Sequence, residues 1–315
     1  MQFKFQKFSS LIFVSLLLSA CSQTTNVANT QSTLLEPRYG HATVTDGKQL
    51  ITLAGANNNG FLSDIETFNP KTGEQKKLDA KIMPRRYFSA VFDGAHSIYI
   101  IGGHGDGPGR HNAGHFVEML DLQTNQVNIV SQMPAPTSFG TAVLFKGEIF
   151  VFGGINYRRQ TGLIQEIPQA WVHAFNLTTQ SWRRLNDLSV ARATRAVVKD
   201  DWIYLVGGYD GRNSMPMFER YQPASGKVEK LPDIPQPISA HSVTVVGNQL
   251  LVFGDYTKMD ASYSYDFSSQ RWQKLAVGYQ PSRHQSIATI ADTVFVTGGN
   301  TGGDGPFLST IQSLR

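Results

Sequence analysis

Six times along the chain, a run of four or more mainly apolar residues ends in a pair of small residues. The copies are Leu50-Ile51-Thr52-Leu53-Ala54-Gly55-Ala56, Ile98-Tyr99-Ile100-Ile101-Gly102-Gly103 and Ile149-Phe150-Val151-Phe152-Gly153-Gly154, followed by Ile203-Tyr204-Leu205-Val206-Gly207-Gly208, Leu250-Leu251-Val252-Phe253-Gly254-Asp255 and Val294-Phe295-Val296-Thr297-Gly298-Gly299. The first glycines fall at 55, 102, 153, 207, 254 and 298, at intervals of 47, 51, 54, 47 and 44 residues. A run that is apolar at successive positions predicts a strand buried on both faces. Each unit also holds three further strand-like runs. In the fourth unit the four runs are Arg195 to Val198, Trp202 to Val206, Met217 to Tyr221 and Lys227 to Leu231, separated by Asp200-Asp201, Asp210-Gly211 and Pro223 to Gly226. Links this short make an antiparallel meander. A lone four-stranded sheet cannot bury both faces of a strand, whereas a ring of stacked sheets can.

These units resemble the Kelch repeat, whose period is near 50 residues. The family pattern has an Arg-led strand, an apolar strand ending Gly-Gly, a strand ending in an aromatic near Asp or Asn, and a Trp shortly before Leu. Here the aromatic is found in Phe68-Asn69-Pro70, Phe175-Asn176, Tyr221 and Tyr265-Asp266, and the Trp at Trp182 (before Leu185) and Trp272 (before Leu275). Gly-Gly is intact in four copies and degraded at Gly55-Ala56 and Gly254-Asp255. The resemblance covers about residues 30–315 and implies an all-β, six-bladed Kelch-type β-propeller, with blades at about 38–84, 85–134, 135–190, 191–235, 236–281 and 282–315. The last unit stops after Thr310 to Leu314 with three strands. The segment Thr30 to Leu35 is expected to supply the fourth, closing the ring and removing an exposed edge.

Composition narrows the class further. Charged residues make up 17% of the chain, below the ~25% usual in soluble domains, while 29 glycines and 41% hydrophobic residues suit a turn-rich β protein. The single cysteine excludes an intrachain disulfide and a cysteine-cluster metal site. It falls where it carries another meaning. Lys4 and Lys7 precede an apolar run, Phe8 to Ala20, that ends Leu18-Ser19-Ala20-Cys21. The run is too short to span a bilayer comfortably and reads as a signal peptide over 1–20. The ending resembles the lipobox of bacterial lipoproteins, which implies cleavage before Cys21 and lipidation of Cys21. Ser22 to Thr33 is mostly Ser, Gln, Thr and Asn, so residues 21–29 are expected to be the lipidated cysteine and its tether. Ser22 resembles the outer-membrane sorting class, so the expected place is the outer membrane, facing the periplasm or the cell surface. Removing residues 1–20 takes the formal charge from +4 to +2, which with secretion argues against a nucleic-acid partner.

In a meander of strands A to D, the D–A and B–C links share one end of the ring. The A–B turns are short (Asp46-Gly47-Lys48, Lys146-Gly147, Val246-Gly247), whereas the B–C links are long, at about 56–63, 104–115, 155–170, 209–216, 255–261 and 300–308. Binding sites concentrate on such loops over a rigid scaffold, and Kelch proteins commonly bind ligands at that end. Two rings of positions are expected there. Asn57, His104, Ile155, Tyr209, Tyr256 and Asn300 follow the glycine pairs. Tyr39, Tyr87, Ser138, Ala193, Ser239 and Arg283 take the second position of the Arg-led segment. The candidate ligand-binding residues are Tyr39, Asn57, Tyr87, His104, Ser138, Tyr209, Ser239, Tyr256, Arg283 and Asn300. Tyrosine offers a flat apolar face with a polar tip, and Asn and Arg offer directed hydrogen bonds, which suits a neutral polar ligand. Arg38, Arg86 and Arg192 are expected to be structural and to pair between blades. The loop from His104 to His115 carries three histidines and Asp106, but its Gly and Pro leave their spacing without force as a metal motif,.

No catalytic residue, metal or cofactor is expected. Galactose oxidase is a Kelch enzyme that needs a Cys–Tyr crosslink beside copper, and the one cysteine here lies in the lipobox. There is no Gly-x-Ser-x-Gly, His-Glu-x-x-His or phosphate-binding loop,. The expected function is that of a lipid-anchored monomer binding a glycan, a peptide or an envelope protein at the loop-lined mouth. The alternative is a sugar-modifying enzyme resembling the sialic-acid epimerases (mutarotases).

Overall fold

Each apolar run becomes the second strand of a four-stranded antiparallel sheet. The structure, a computed structural model, describes residues 30–105, 113–160 and 163–314. The signal peptide, Cys21, the tether to residue 29 and His111 lie outside the described residues. Six sheets form, and in each the chain steps through strands A, B, C and D in order. In the fourth blade these are Ala193–Lys199, Trp202–Tyr209, Phe218–Gln222 and Lys227–Lys230. The A strands of neighbouring blades touch all the way round, so they form the inner wall of a closed ring of six blades. Among the described residues the one helical element is a short 3-10 turn, Ala113–His115.

The ring closes at the expected place. Thr30–Thr33 pairs antiparallel with Thr310–Leu314, with Thr30 opposite Ser313 and Thr33 opposite Thr310, and becomes strand D of the last blade. Leu34 follows it into the core at 5% exposure, and its N–H donates to the Ser309 carbonyl.

Apolar side chains of the B strands meet those of the adjoining blades. The buried residues separate into six clusters, one at each interface between blades. Each blade is therefore a wedge that shares its core with two neighbours, which is why no blade could stand alone. Two of the repeat tryptophans staple the outer rims. The Trp182 indole donates to the Ser131 hydroxyl of the preceding blade at 3.0 Å, and Trp272 to the Pro232 carbonyl at 2.8 Å.

The small pairs are where strand B leaves the sheet and turns to its neighbour. The second residue of the pair donates its N–H to a carbonyl at the start of the next blade, as Gly55 to Arg85, Gly103 to Thr137, Gly154 to Arg192, Gly208 to Ile238 and Gly299 to Arg38. That approach leaves no room for a side chain. A Cβ on Gly208, at φ +133°, would lie 2.1 Å from the Ala193 carbonyl oxygen,. The pattern also corrects the first unit, whose pair is Ala54-Gly55 instead of Gly55-Ala56. Ala54 takes the left-handed conformation of the first glycine, at φ +47°.

Two B–C links differ from their expected form. In the first blade strands B and C run to Asn57 and from Gly60, leaving a two-residue hairpin in place of a loop over 56–63. In the third blade they extend as Glu148–Gln160 and Leu163–Asn176, so most of the loop expected at 155–170 is a projecting β-hairpin.

Candidate functional site

The D–A links bring three successive residues per blade to the axis, and each layer does different work. The first layer is structural. Arg38, Arg85 and Arg192 are wholly buried. Arg38 pairs with Glu66 at 2.8 Å and Asp64 at 3.1 Å, Arg85 with Glu118, and Arg192 with Glu219 at 2.6 Å. These pairs lie within a blade and not between blades, because the partner sits on strand C of the same sheet. The backbone carbonyls of Arg38, Arg85 and Arg192 make the link to the preceding blade.

The pairing corrects the register in the second unit. Arg85, not Arg86, holds the structural position, so Arg86 moves to the mouth and Tyr87 goes one layer deeper. The sequence carried a signal for this: Pro37-Arg38 and Pro84-Arg85 align by their prolines. The second layer is then Tyr39, Arg86, Ser138, Ala193, Ser239 and Arg283. Backbone bridges run from Tyr39 to Ala56, Arg86 to His104, Ser138 to Ile155 and Arg283 to Asn300. Ala56 thus holds the place assigned to Asn57. Asn57 instead donates its amide to the Pro37 carbonyl at 3.2 Å and caps its own hairpin through the Asn59 N–H at 2.8 Å.

The third layer was not foreseen. It consists of Gly40, Tyr87, Phe139, Thr194, Ala240 and His284. Five of the six are left-handed, with φ of +61°, +59°, +57°, +53° and +54° for Gly40, Tyr87, Phe139, Ala240 and His284. Four of these are not glycine, and such strain persists only where the surroundings enforce it. Here the enforcing contacts are backbone bonds from blade to blade: Phe139 N–H to the Tyr87 carbonyl, Tyr87 to Gly40, Gly40 to His284 and His284 to Ala240. Thr194 breaks the pattern. It lies in a bulge of strand A and turns its hydroxyl to the carbonyls of Val206 and Gly207, at 3.0 and 3.1 Å.

Above this floor lies a cavity of about 660 Å³ whose walls come from all six blades. Seven of the ten candidate residues line it: Tyr39, Tyr87, Tyr209, Ser239, Tyr256, Arg283 and Asn300. Asn57 does not. His104 and Ser138 border a small side recess with Tyr157, where the His104 ring lies 5.7 Å from Phe61 and 5.4 Å from Tyr157. Sequence reasoning missed Arg86, Phe139, Tyr157, Arg195, Arg212, His241 and His284, all of which line the cavity. The lining of Tyr157 and Glu166 depends on the projecting hairpin, which periodicity did not reveal.

The rings stack against one another and against cations. Tyr39 stacks on Phe307 at 4.7 Å and Tyr87 on Phe139 at 3.9 Å. The Arg283 guanidinium sits 4.0 Å over the Tyr256 ring and donates to the Tyr256 carbonyl at 2.9 Å. Arg86 lies 4.8 Å from the Tyr87 ring centre and 5.2 Å from that of Tyr39. Such contacts orient a cation without neutralising it. Burial pushes the Tyr87 hydroxyl up to about 12 and raises Tyr157 and Tyr209 as well, so all three are neutral donors and acceptors near pH 7. Burial and then the nearby Arg195 charge push His241 down to about 3. Burial, Arg195, Arg283 and Arg86 do the same to His284. Neither histidine carries charge at neutral pH. Asp255, beside the cavity, has burial working to raise it, but the N–H groups of Lys258, Ser239 and Thr257 outweigh burial and hold it below the usual carboxylate range. It serves the loop and replaces the missing second glycine of the fifth blade. Among the described residues no group of three or more His, Cys, Asp or Glu is placed to hold a metal.

A family model described as the KLHDC2/KLHL20/DRC7 Kelch-repeats domain matches residues 79–255. Among curated proteins the chain is similar to the spermatocyte protein spe-26 of Caenorhabditis elegans, 28% identical over 66% of this chain and 36% of that protein. It is similar to beta-scruin of Limulus polyphemus, 27% identical over 62% of this chain and 23% of that protein. It is also similar to Kelch-like protein 38 of Homo sapiens, 25% identical over 75% of this chain and 39% of that protein. The chain therefore spans between about a quarter and two-fifths of the length of these relatives.

Proposed function

The chain belongs to the Kelch-repeat family, and on that basis we propose that it is a binding module that holds its ligand at the mouth of the ring. The observation that carries this reading is the cavity, open at the B–C end and reached by side chains from all six blades. Its tyrosines give flat faces with polar tips, and its serines, Asn300 and arginines give directed bonds, a mixture that suits recognition of a polar ligand. Family membership favours a protein partner. A glycan, a peptide or a segment of an envelope protein is the ligand class proposed. A sugar-isomerase activity draws no support from the cavity. Among the described residues its two histidines, pushed down to about 3, are weak bases, and its one carboxylate, Glu166, lies on an exposed stretch of the hairpin.

The test is to probe glycan and peptide arrays with the detergent-solubilised protein, alongside crosslinking in cell envelopes. A reproducible ligand class is expected. Empty arrays together with an empty crosslinking experiment would remove the reading.

Lipid anchoring through Cys21, at the outer membrane facing the periplasm or the cell surface, completes the proposal. It rests on the sequence Leu18-Ser19-Ala20-Cys21 after an apolar run,. Cys21→Ser is expected to move the protein from the membrane pellet to the soluble fraction. Continued sedimentation of the variant with membranes would refute the anchor.

A further inference from the structure

Deepening the reading of the mouth as the binding site, on which this inference rests, we infer that the floor of the cavity is a site for an oxyanion, a carboxylate or phosphate group, held by Arg86, Arg195 and Arg283. Charged groups taken from water are normally paired. The three arginines of the structural layer obey this, each with its own glutamate. Four arginines line the cavity; Arg212 is exposed to solvent, and the three set further in, Arg86, Arg195 and Arg283, do not obey it. Among the described residues none of them has a carboxylate within ion-pair distance.

Arg283 is 8% exposed, and its Nε is buried without a hydrogen-bond partner. The Nε of Arg86 is likewise buried and unpartnered. Among the described residues Arg195 donates only to the carbonyls of His241, at 3.1 Å, and Thr194, at 3.4 Å. Burial with no compensating charge pushes Arg195 down to about 10, so it is still cationic at neutral pH. All three line the same cavity, and all three charges reach one imidazole, that of His284 on the floor. The histidine is neutral and offers no competing positive charge.

The blade order explains why they gather there. Arg86 and Arg283 come from the mouth layer on either side of Tyr39, and Arg195 enters at the fourth blade, where the bulge interrupts the left-handed floor. Among the described residues the only acidic side chain in the lining, Glu166, is on the exposed hairpin. Unneutralised guanidinium groups in a walled cavity of this size favour an anion, and their planar forks match the two oxygens of a carboxylate or phosphate. Tyrosines stand around the same floor, so the anionic group is one end of a larger polar ligand. Tyrosines, Asn300 and Arg283 alone suit a neutral ligand; the presence of Arg86 and Arg195 in the same lining shifts the expected ligand to an anionic one.

The experiment is thermal melting of the full-length protein at constant ionic strength, titrated below about 10 mM with inorganic phosphate, citrate or glucuronate, with glucose as the neutral control. Low concentrations matter because phosphate stabilises many proteins non-specifically when concentrated. A saturable rise is expected with at least one oxyanion, by several degrees once the anion exceeds its dissociation constant roughly a hundredfold. Arg195→Gln and Arg283→Gln should each abolish it, while Lys146→Gln in an A–B turn at the other end should not. Arg86→Gln, at the partly exposed rim, serves if a deeper variant fails to fold. Phosphate alone, or the carboxylates alone, would identify which group the site takes. No saturable rise with any oxyanion, or an undiminished rise in the arginine variants, overturns the inference. In that case a neutral ligand found on the arrays would leave the mouth as the binding site and remove only the anion.

Discussion

Glu118→Gln is expected to destabilise the protein by about 3–5 kcal/mol, the cost of leaving a buried charge without its partner. Arg85 is 0% exposed and Glu118 4%. The glutamate also accepts the Met83 N–H, at 3.0 Å from one oxygen and 3.2 Å from the other. A glutamine can keep that backbone bond. Gln312 does so at the equivalent place in the sixth blade, accepting the Gln280 N–H at 2.5 Å. What the glutamine cannot do is neutralise Arg85. The chain itself argues that the two residues are kept or lost together. Blades with the arginine carry Glu66, Glu118 or Glu219. The other three carry Thr137 with His173, Ile238 with Tyr263, and Ser282 with Gln312. The double variant Arg85→Met, Glu118→Leu should therefore recover most of the loss, because an apolar pair of similar volume replaces a buried ion pair at little net cost. Urea unfolding of the wild type, the single variant and the double variant measures both effects. A loss below about 1 kcal/mol in Glu118→Gln would mean that the pair is solvated and not the joint described above.

Deleting residues 29–36 is expected to lower the melting temperature by roughly 10 °C, more than any single surface change. The deletion strips Thr30–Thr33 from Thr310–Leu314 and reopens the edge of the last blade,. It also removes Leu34, whose loss alone costs about 2–5 kcal/mol as a buried leucine,. The Leu35 N–H that bonds Glu66 at 2.6 Å goes with it. The point variant Leu34→Ala should show a smaller shift of the same sign. Differential scanning calorimetry gives both, and an unchanged transition would show that the segment adds nothing to the ring.

Much of the fold was legible because it repeats. A buried strand B has to be apolar at successive positions, so six copies of one pattern announce six blades, and the three-stranded last unit announces the closing strand. The register within a unit was harder. In Pro84-Arg85-Arg86-Tyr87 two adjacent arginines compete for one structural position; alignment with Pro37-Arg38 favours Arg85, and the Glu118 contact settles it. Ala54 hid the first glycine pair because a non-glycine residue occupies a left-handed position there. At the site, residues set by the repeat were found by alignment, as Tyr209, Tyr256 and Asn300 were. Arg195 was not, because a bulge in one blade redirects it and no periodic signal marks a bulge. The hairpin carrying Tyr157 and Glu166 has the polar composition of a loop, and its pairing depends on a tertiary setting that local pattern does not encode.

Ligand capture by two sets of variants tests the central claim, that the mouth is the binding surface, most directly. One set, Arg86→Ala with Tyr209→Ala and Arg283→Ala, alters the cavity wall. The other, Lys48→Ala with Lys146→Ala, alters A–B turns at the opposite end. With folding checked by circular dichroism, the account predicts that the first set loses at least tenfold in affinity for whatever ligand the arrays return, while the second binds as the wild type does. Undiminished binding by the cavity set, or loss confined to the A–B set, would contradict it.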